Sequence, residues 1–560
     1  MAKILCLQLL TYGVLIGPCL AQNCPLLGPA YPPPTDPVSS SFLAAAETFD
    51  GLLKLDSRID RQRVSFAVQV YSSSSTAPMY SHYSTAPFLN TSKVGPDTLF
   101  RIHSISKVMT VYAIISKLGH KYWDEPVTKY VPELAVRPQR DGIGSPDWSE
   151  VTLGGLASQM SGISRDYALG DISTAFTEMP FSRPLNQSEL VRCGSTGFKP
   201  CTREEAIKLI LSTYPVSAAS STPNYSNMAF QILAYAIETI TQTPFPDLVR
   251  AQLIQPLNLT RTFLTNPGND TNAVIYNGWD LDFGDEAPTA GYYQSVSDLT
   301  TLGRSIISST LMPAISTRKW LKPVTHTSSL VFSLGRPWEI LRQTIPISTS
   351  PSTSTSRVTD IYTKQGGGDT YTSLIALSPD HNIGISITSA GPSSFSSGME
   401  IIRDAFMDIW LPAAEQAARE QARRDLAGTY MYTSSIDNSS SLVTVAIETN
   451  QPGLFVSKMV SNGTDMLALI AEYQQRGEKG TQLGMWLYPA VGLTEGNRTA
   501  FRGVLGLVGR PAAADCGSWA EGDRLRWGNY PVDLLIFETE GDGRAERVEV
   551  PVLGRSLERA

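Results

Sequence analysis

The stretch Phe100-Arg101-Ile102-His103-Ser104-Ile105-Ser106-Lys107-Val108 sets a serine three residues ahead of a lysine, at the head of an apolar run. Ile105, Val108, Met109, Tyr112, Ile115 and Leu118 recur at helical spacing, and Gly119 is a stop. Residues three apart share a helix face, so Ser104 and Lys107 can meet. A hydroxyl is a poor nucleophile at neutral pH and needs a base at hydrogen-bond distance. Lysine serves as that base only when neutral, which burial and nearby positive charge favour. If Ser104 opens the helix, its N–H is among the unpaired donors that can hold an oxyanion. Spacing alone is cheap, since Ser316-Thr317-Arg318-Lys319 has it too. The apolar helix behind Ser104 sets it apart.

Two more motifs follow in order. Tyr225 is the only tyrosine with asparagine two residues later, in Tyr225-Ser226-Asn227. A phenol near ammonium groups is stabilised as phenolate and can shuttle a proton. The Asn227 amide can hold Lys107 or a substrate carbonyl, although Ser226 or Asn227 could instead simply cap the helix from Met228. Lys364-Gln365-Gly366 ends a predicted strand before a glycine turn, 366–369. Missing side chains there let a substrate backbone approach. The Gly367 N–H is a second candidate oxyanion donor, and Lys364 brings charge for the tyrosine or a substrate carboxylate. Together these residues make an acyl-transfer site without histidine. His103 is read as packing. No Gly-x-Ser-x-Gly elbow and no His/Asp cluster for a metal occur.

Around the motifs the pattern predicts helices over 42–59, 105–118, 152–160, 202–211, 228–241 and 398–411, with Pro412 ending or kinking the last and a polar helix resuming to Leu426. Strands are predicted over 64–71, 360–364, 371–377 and 383–388. That is an α+β order: an antiparallel sheet flanked by helices, plus an all-helical lobe. Beyond residue 426, short alternating runs at 442–447, 453–460, 466–471, 484–488 and 532–537 predict a smaller all-β barrel or sandwich. The expected organisation is a signal peptide over 1–21, a proline-rich arm over 22–41, a catalytic domain over 42–426 and a β-rich domain over 427–560.

The leader reading rests on Lys3, an apolar run to Pro18 and small residues before Gln22. The run is short for a membrane span, and no later segment is long enough, so secretion with no span after cleavage is expected. Cys24, Cys193, Cys201 and Cys516 then remain. In an oxidising compartment four cysteines favour two disulfides. Three pairings are possible; Cys193 with Cys201 would pin a local loop and leave Cys24 with Cys516. Sequons begin at Asn90, Asn186, Asn258, Asn269, Asn438, Asn462 and Asn497. Asn224 also begins one but overlaps the second motif and is expected to stay bare. The net charge is −7 and no basic block occurs, which argues against nucleic acid.

The three motifs, with 156–162 and 364–379, resemble the serine β-lactamase/penicillin-binding-protein superfamily, in particular its class C β-lactamase-like branch with esterase and D-aminopeptidase relatives. The resemblance covers roughly 42–411, and the tail resembles a β domain appended to some fungal secreted members. It implies a β-lactamase/transpeptidase-like fold and needs no cofactor. It implies Ser104 as acylated nucleophile, Lys107 as its base, Tyr225 as proton shuttle and Asn227 as its partner. Lys364 and Gly366 match the third motif, and the N–H groups of Ser104 and Gly367 would form the oxyanion hole. Gln365 stands where the family has threonine, and Gln159-Met160-Ser161-Gly162 departs from His-Thr-Ser-Gly. Both departures point away from β-lactams. The expected activity is hydrolysis or transfer of an ester, amide or lactam acyl group, on a small molecule of secondary metabolism or a D-amino-acid peptide. A catalytically silent binding protein and an unrelated serine enzyme are the alternatives.

Overall fold

The computed structural model describes residues 25–89, 93–135, 143–174, 183, 185–186, 189–195, 197–268, 270–347, 356–368, 370–392, 396–436, 438–474, 482–508 and 516–560. The expected leader, Cys24, Asn90 and Asn269 lie outside them. The chain divides into two compact units. One comprises Pro34–Gln343 and Asp360–Ala417; the other comprises Thr344–Thr359, Ala418–Ala560 and the described part of Met1–Pro33. Among the described residues no helix is long and apolar enough to cross a membrane.

The larger unit is built on an eight-stranded sheet. Its order is Tyr80–Ser84, Ser65–Ser72, Ile383–Ala390, Tyr371–Ser378, Ser356–Gly367, Glu339–Pro346, Phe332–Leu334 and Thr325–His326. Ser65–Ser72, Tyr371–Ser378 and Ile383–Ala390 are buried along their whole length, the signature of strands covered on both faces. Helix Val296–Ile307 packs on this sheet. The helical lobe holds Ser106–Leu118, Leu153–Ala157, Arg203–Ser212 and Met228–Thr241, joined by one apolar core through Val108, Tyr112, Leu156, Phe230 and Leu233. Local chemistry sets the ends of these helices. Thr202 and Glu205 form a capping box, Thr152 accepts from the Gly155 N–H, and Gly119 takes a left-handed φ of 63°. Cys193 and Cys201 are disulfide-bonded. Cys516 is also in a disulfide, with a partner outside the described residues.

The smaller unit contains a closed antiparallel barrel. Eight strands run Ser439–Ala446, Gly428–Ser434, Arg555–Arg559, Ala545–Val550, Leu534–Thr539, Arg498–Leu507, Leu483–Glu495 and Leu454–Ser461, and the last pairs back on the first. Closure removes the exposed edges that a sandwich would keep. Tyr430, Phe501 and Phe537 meet edge to face in its core.

Two expectations fail for physical reasons. Residues 466–471 are not a strand: Met466–Tyr473 is a helix, because Asp465 caps it by accepting from the N–H groups of Leu467 (3.0 Å) and Ala468 (3.1 Å). The break expected around Pro412 is present, and the polar helix resumes after it as expected. A wide turn at Phe406–Trp410 precedes it, and Leu411–Asp425 continues with the proline in its first turn, where a missing N–H costs little. The glycine turn begins later than predicted, since Gly366 and Gly367 still belong to strand Ser356–Gly367.

Gly366 is glycine because of the protein's own packing. A Cβ there would strike the Ile102 carbonyl and the Ser373 hydroxyl. The strand thus lies directly against the backbone that leads into Ser104. Gly366→Ala is expected to destabilise the chain by about 1–3 kcal/mol through overpacking, measured by denaturant melts. Gly367→Ala, with open space at its Cβ position, is expected to leave stability nearly unchanged.

Candidate active site

Ser104 sits in a short 3-10 turn, His103–Ile105, which leads into helix Ser106–Leu118; it precedes the α-helix rather than opening it. His103 has a left-handed φ of 43°, a strained conformation for a non-glycine residue. Its ring packs over Gly368 and against Phe283 and Tyr371. Burial and the charges of Arg101 and Lys107 push its pKa down to about 3, so it stays uncharged.

The two candidate bases converge on Ser104. Lys107 Nζ lies 3.1 Å from Ser104 Oγ, and the Tyr225 hydroxyl lies 2.9 Å from the same oxygen. Lys107 is fully buried and also donates to Asn227 Oδ1 (2.8 Å) and the Thr289 carbonyl (3.1 Å). Burial pushes its pKa below the ordinary lysine range. Lys364 pushes the same way, while Tyr225 and Asp166 oppose. Tyr225 lies between two lysines, with Lys107 Nζ 5.0 Å and Lys364 Nζ 5.3 Å from its ring centre. Burial alone would raise the phenol; the two lysines and the Ser104 hydrogen bond outweigh it and bring the pKa down to about 8. Ser316 and Lys319, with the same spacing, sit on Ala314–Trp320 with Lys319 exposed to solvent.

The second motif is held by a neighbouring loop. The N–H of Asn224 donates to the Gln159 carbonyl (2.9 Å), that of Ser226 to Gln159 Oε1 (2.7 Å), and that of Asn227 to the Arg165 carbonyl (2.8 Å). Asn227 Nδ2 donates to Asp166 Oδ1 at 2.9 Å. Gln159, at the position of the family histidine, thus anchors the segment carrying Tyr225, and does so with a left-handed φ of 65°. The Asn224 side chain donates to the Ile163 carbonyl at 2.8 Å. Asn186, Asn258, Asn438, Asn462 and Asn497 are exposed.

Lys364 is buried and paired with Glu339: Nζ to Oε1 is 2.6 Å, and the Gln365 N–H donates to Oε2 at 3.0 Å. Burial would lower the lysine, but Glu339 and Tyr225 hold it above its ordinary range. Its charge is therefore fixed and largely spent inside the protein. Gly367 is exposed at the strand end, opposite Thr372. Beside Tyr225 and Glu339 opens a cavity of about 550 Å³, lined also by Gln159, Trp338, Phe332 and His326.

Sequence reasoning missed Glu339, Asp166 and the Thr289 carbonyl. Glu339 lies 25 residues from Lys364 and Asp166 lies 61 from Asn227, so no local spacing marks either. A second row of suggestive groups is not a site. Ser378 Oγ lies 2.7 Å from His381 Nδ1, and His381 Nε2 lies 3.0 Å from Glu415, but all three are buried.

With this geometry in view, the comparisons fix the family. A family model described as Beta-lactamase matches residues 50–405, more than half the chain, and one described as Beta-lactamase-like-like, C-terminal domain, matches 418–560. The chain belongs to the β-lactamase family, a hydrolase fold. It is 29% identical to a "Beta-lactamase-like protein" of Arthroderma benhamiae over 541 residues, covering 88% of this chain and 87% of the other. It is 27% identical to the "Probable hydrolase M10" of a Phoma species over 487 residues, covering 83% and 77%. Among solved structures it is similar to a β-lactamase/D-alanine carboxypeptidase from Yersinia pestis, at 19% identity and a TM-score of 0.46, covering 66% of this chain and 99% of that one.

A phenol titrating near pH 8 is measurable by ultraviolet difference absorbance. One tyrosine is expected to ionise well ahead of the rest, and the step should vanish in Tyr225→Phe. Removing a nearby cation disfavours phenolate, so Lys364→Met should move the step to higher pH. A step that stays put in Lys364→Met would refute the electrostatic account.

Proposed function

We propose that the chain is a secreted serine hydrolase that works through a covalent acyl-enzyme at Ser104. The observation that carries this reading is the double contact of Ser104 Oγ, with Lys107 Nζ at 3.1 Å and the Tyr225 hydroxyl at 2.9 Å. Two bases on one hydroxyl, one a buried amine and one a phenol near pKa 8, supply what a serine nucleophile lacks.

In this reading the Ser104 proton passes to the neutral Lys107 amine or the Tyr225 phenolate as Oγ attacks the carbonyl carbon of an ester, amide or lactam. The carbonyl oxygen becomes an oxyanion that the N–H groups of Ser104 and Gly367 hold. The carbon–leaving-group bond breaks, and Tyr225 returns the proton to the departing alkoxide or amine. Water, or an acceptor alcohol or amine in an acyltransferase variant of the same site, then attacks the acyl carbon, the acyl C–Oγ bond breaks, and the attacking group's proton passes through Lys107 or Tyr225 to Ser104 Oγ. Lys364, held charged by Glu339, stabilises the phenolate through this cycle, and Lys107 does so while it carries the proton.

The acyl donor in this reading is a small molecule of secondary metabolism or a D-amino-acid peptide. Lys364 is paired with Glu339, and Gln365 replaces threonine, so the third motif offers no free cation to a β-lactam carboxylate. Secretion is supported by the leader pattern, the sequons and the Cys193–Cys201 disulfide.

Intact-protein mass spectrometry after a fluorophosphonate serine probe tests the reading. One label is expected on wild type and on Ser316→Ala, and none on Ser104→Ala. A folded wild type that takes no label would favour a silent binding protein. Label that survives Ser104→Ala would move the nucleophile elsewhere.

A further inference from the structure

Behind the three motifs lies a buried carboxylate that none of them contains. Asp166 has its side chain 8% exposed and accepts from Asn227 Nδ2 at 2.9 Å. Asn227 in turn presents Oδ1 to Lys107 Nζ at 2.8 Å. The order of these bonds matters to the chemistry. As an ammonium, Lys107 has three protons for three acceptors: Ser104 Oγ, Asn227 Oδ1 and the Thr289 carbonyl. As a neutral amine it keeps two. If Asn227 and Thr289 accept those two, the lone pair is left facing Ser104. If the Asn227 amide turned over, its NH₂ would face the amine, and the lone pair would bind Asn227 instead of the serine proton.

An asparagine amide has no intrinsic preference between these two orientations, and its neighbours decide it. The Thr289 hydroxyl donates to the Asn227 backbone carbonyl at 2.8 Å, which fixes the backbone but not the amide. The group at the far end of the amide is Asp166, and a carboxylate only accepts. We propose that Asp166 is a positioning residue of the acyl-transfer site: it holds the Asn227 amide in the orientation that aims the Lys107 lone pair at Ser104. This rests on the acyl-enzyme reading above.

The titratable groups around Lys107 come from several elements: Tyr225, Lys364, Asp166 and Glu286, with the uncharged His103 close by. Arg165 pairs loosely with Asp166, Nε to Oδ2 at 3.5 Å. Glu286 is held up to about 7 by burial and by Asp166, so below that pH it adds no second negative charge. The negative charge of Asp166 favours the Lys107 ammonium. Removing it therefore lowers the pKa of Lys107 and moves the acid limb of the rate profile to lower pH, even as the plateau falls.

The test is the rate of fluorophosphonate labelling of the full chain against pH, for wild type, Asp166→Asn, Asp166→Glu, Asn227→Ala and the double variant D166N/N227A. Asp166→Asn, nearly isosteric but able to donate, is expected to slow the plateau about 10- to 100-fold and move the acid limb down. Asp166→Glu keeps an acceptor-only group and is expected to retain more of the rate. In the Asn227→Ala background, Asp166→Asn should cost less than about 2-fold more, because it acts through that amide. Wild-type rate with an unmoved limb in Asp166→Asn would overturn the proposal. So would an Asp166→Asn that outpaces Asp166→Glu, or one that slows Asn227→Ala as much as it slows wild type. A wild type that takes no label would bring down the acyl-enzyme reading, and this inference with it.

Discussion

The site depends on taking one lysine amine wholly out of water. Lys107 is fully buried, and among the described residues no carboxylate touches its Nζ; its hydrogen-bond partners there are a hydroxyl, an amide oxygen and a carbonyl. A buried ammonium without a paired anion is costly, so the surroundings favour the neutral amine. Those partners come from three distant parts of the chain, and each must arrive within hydrogen-bond distance. The turn His103–Ile105 brings Ser104, the start of helix Met228–Thr241 brings Asn227, and the short helix Ala287–Ala290 brings the Thr289 carbonyl. The helical lobe is the scaffold that makes this convergence possible.

What could be read from the sequence was what repeats locally. The helix after Ser104 and the helix Met228–Thr241 announce themselves by apolar spacing, and the three motifs by short fixed intervals. The barrel was legible as texture, through alternation between turns, though only closure of Ser439–Ala446 on Leu454–Ser461 separates it from a sandwich. Met466–Tyr473 reads as a strand because its run is apolar at 466–471, whereas only Leu467 and Ile470 are buried; the informative residue is Asp465, just ahead of it. The carboxylates were illegible for a different reason. Glu339 and Asp166 act through tertiary contacts, 25 residues from Lys364 and 61 from Asn227, so no local spacing links either to its partner in the site. Gly366 was assigned to substrate approach, whereas its missing Cβ makes room for the Ile102 carbonyl and Ser373.

The two lysines of the site share burial and differ in one contact. Lys364 has Glu339 at 2.6 Å and is held charged; Lys107 has no such partner and is pushed toward neutrality. One fixed charge and one labile proton acceptor, both within about 5 Å of the Tyr225 ring, divide the electrostatic work. Lys364 lowers the phenol without competing for its proton. Lys107 can exchange a proton with Ser104. A site in which both lysines were paired would have no base, and one in which neither was paired would have no fixed field.

Ser378, His381 and Glu415 make the same point from the opposite side. Their hydrogen bonds are as short as those of Ser104, and their order is that of a serine–histidine–carboxylate triad. They lie sealed in the interior, where they tie the turn at 379–381 to helix Leu411–Asp425. Hydrogen-bond geometry therefore does not distinguish a nucleophile from a structural hydroxyl in this chain. What distinguishes them is the space around each. Ser104 is only partly buried, and its partner Tyr225 borders a cavity of about 550 Å³, enough for a small acyl substrate. The reactive arrangement is the one in which the bases are dry and the hydroxyl between them is reachable.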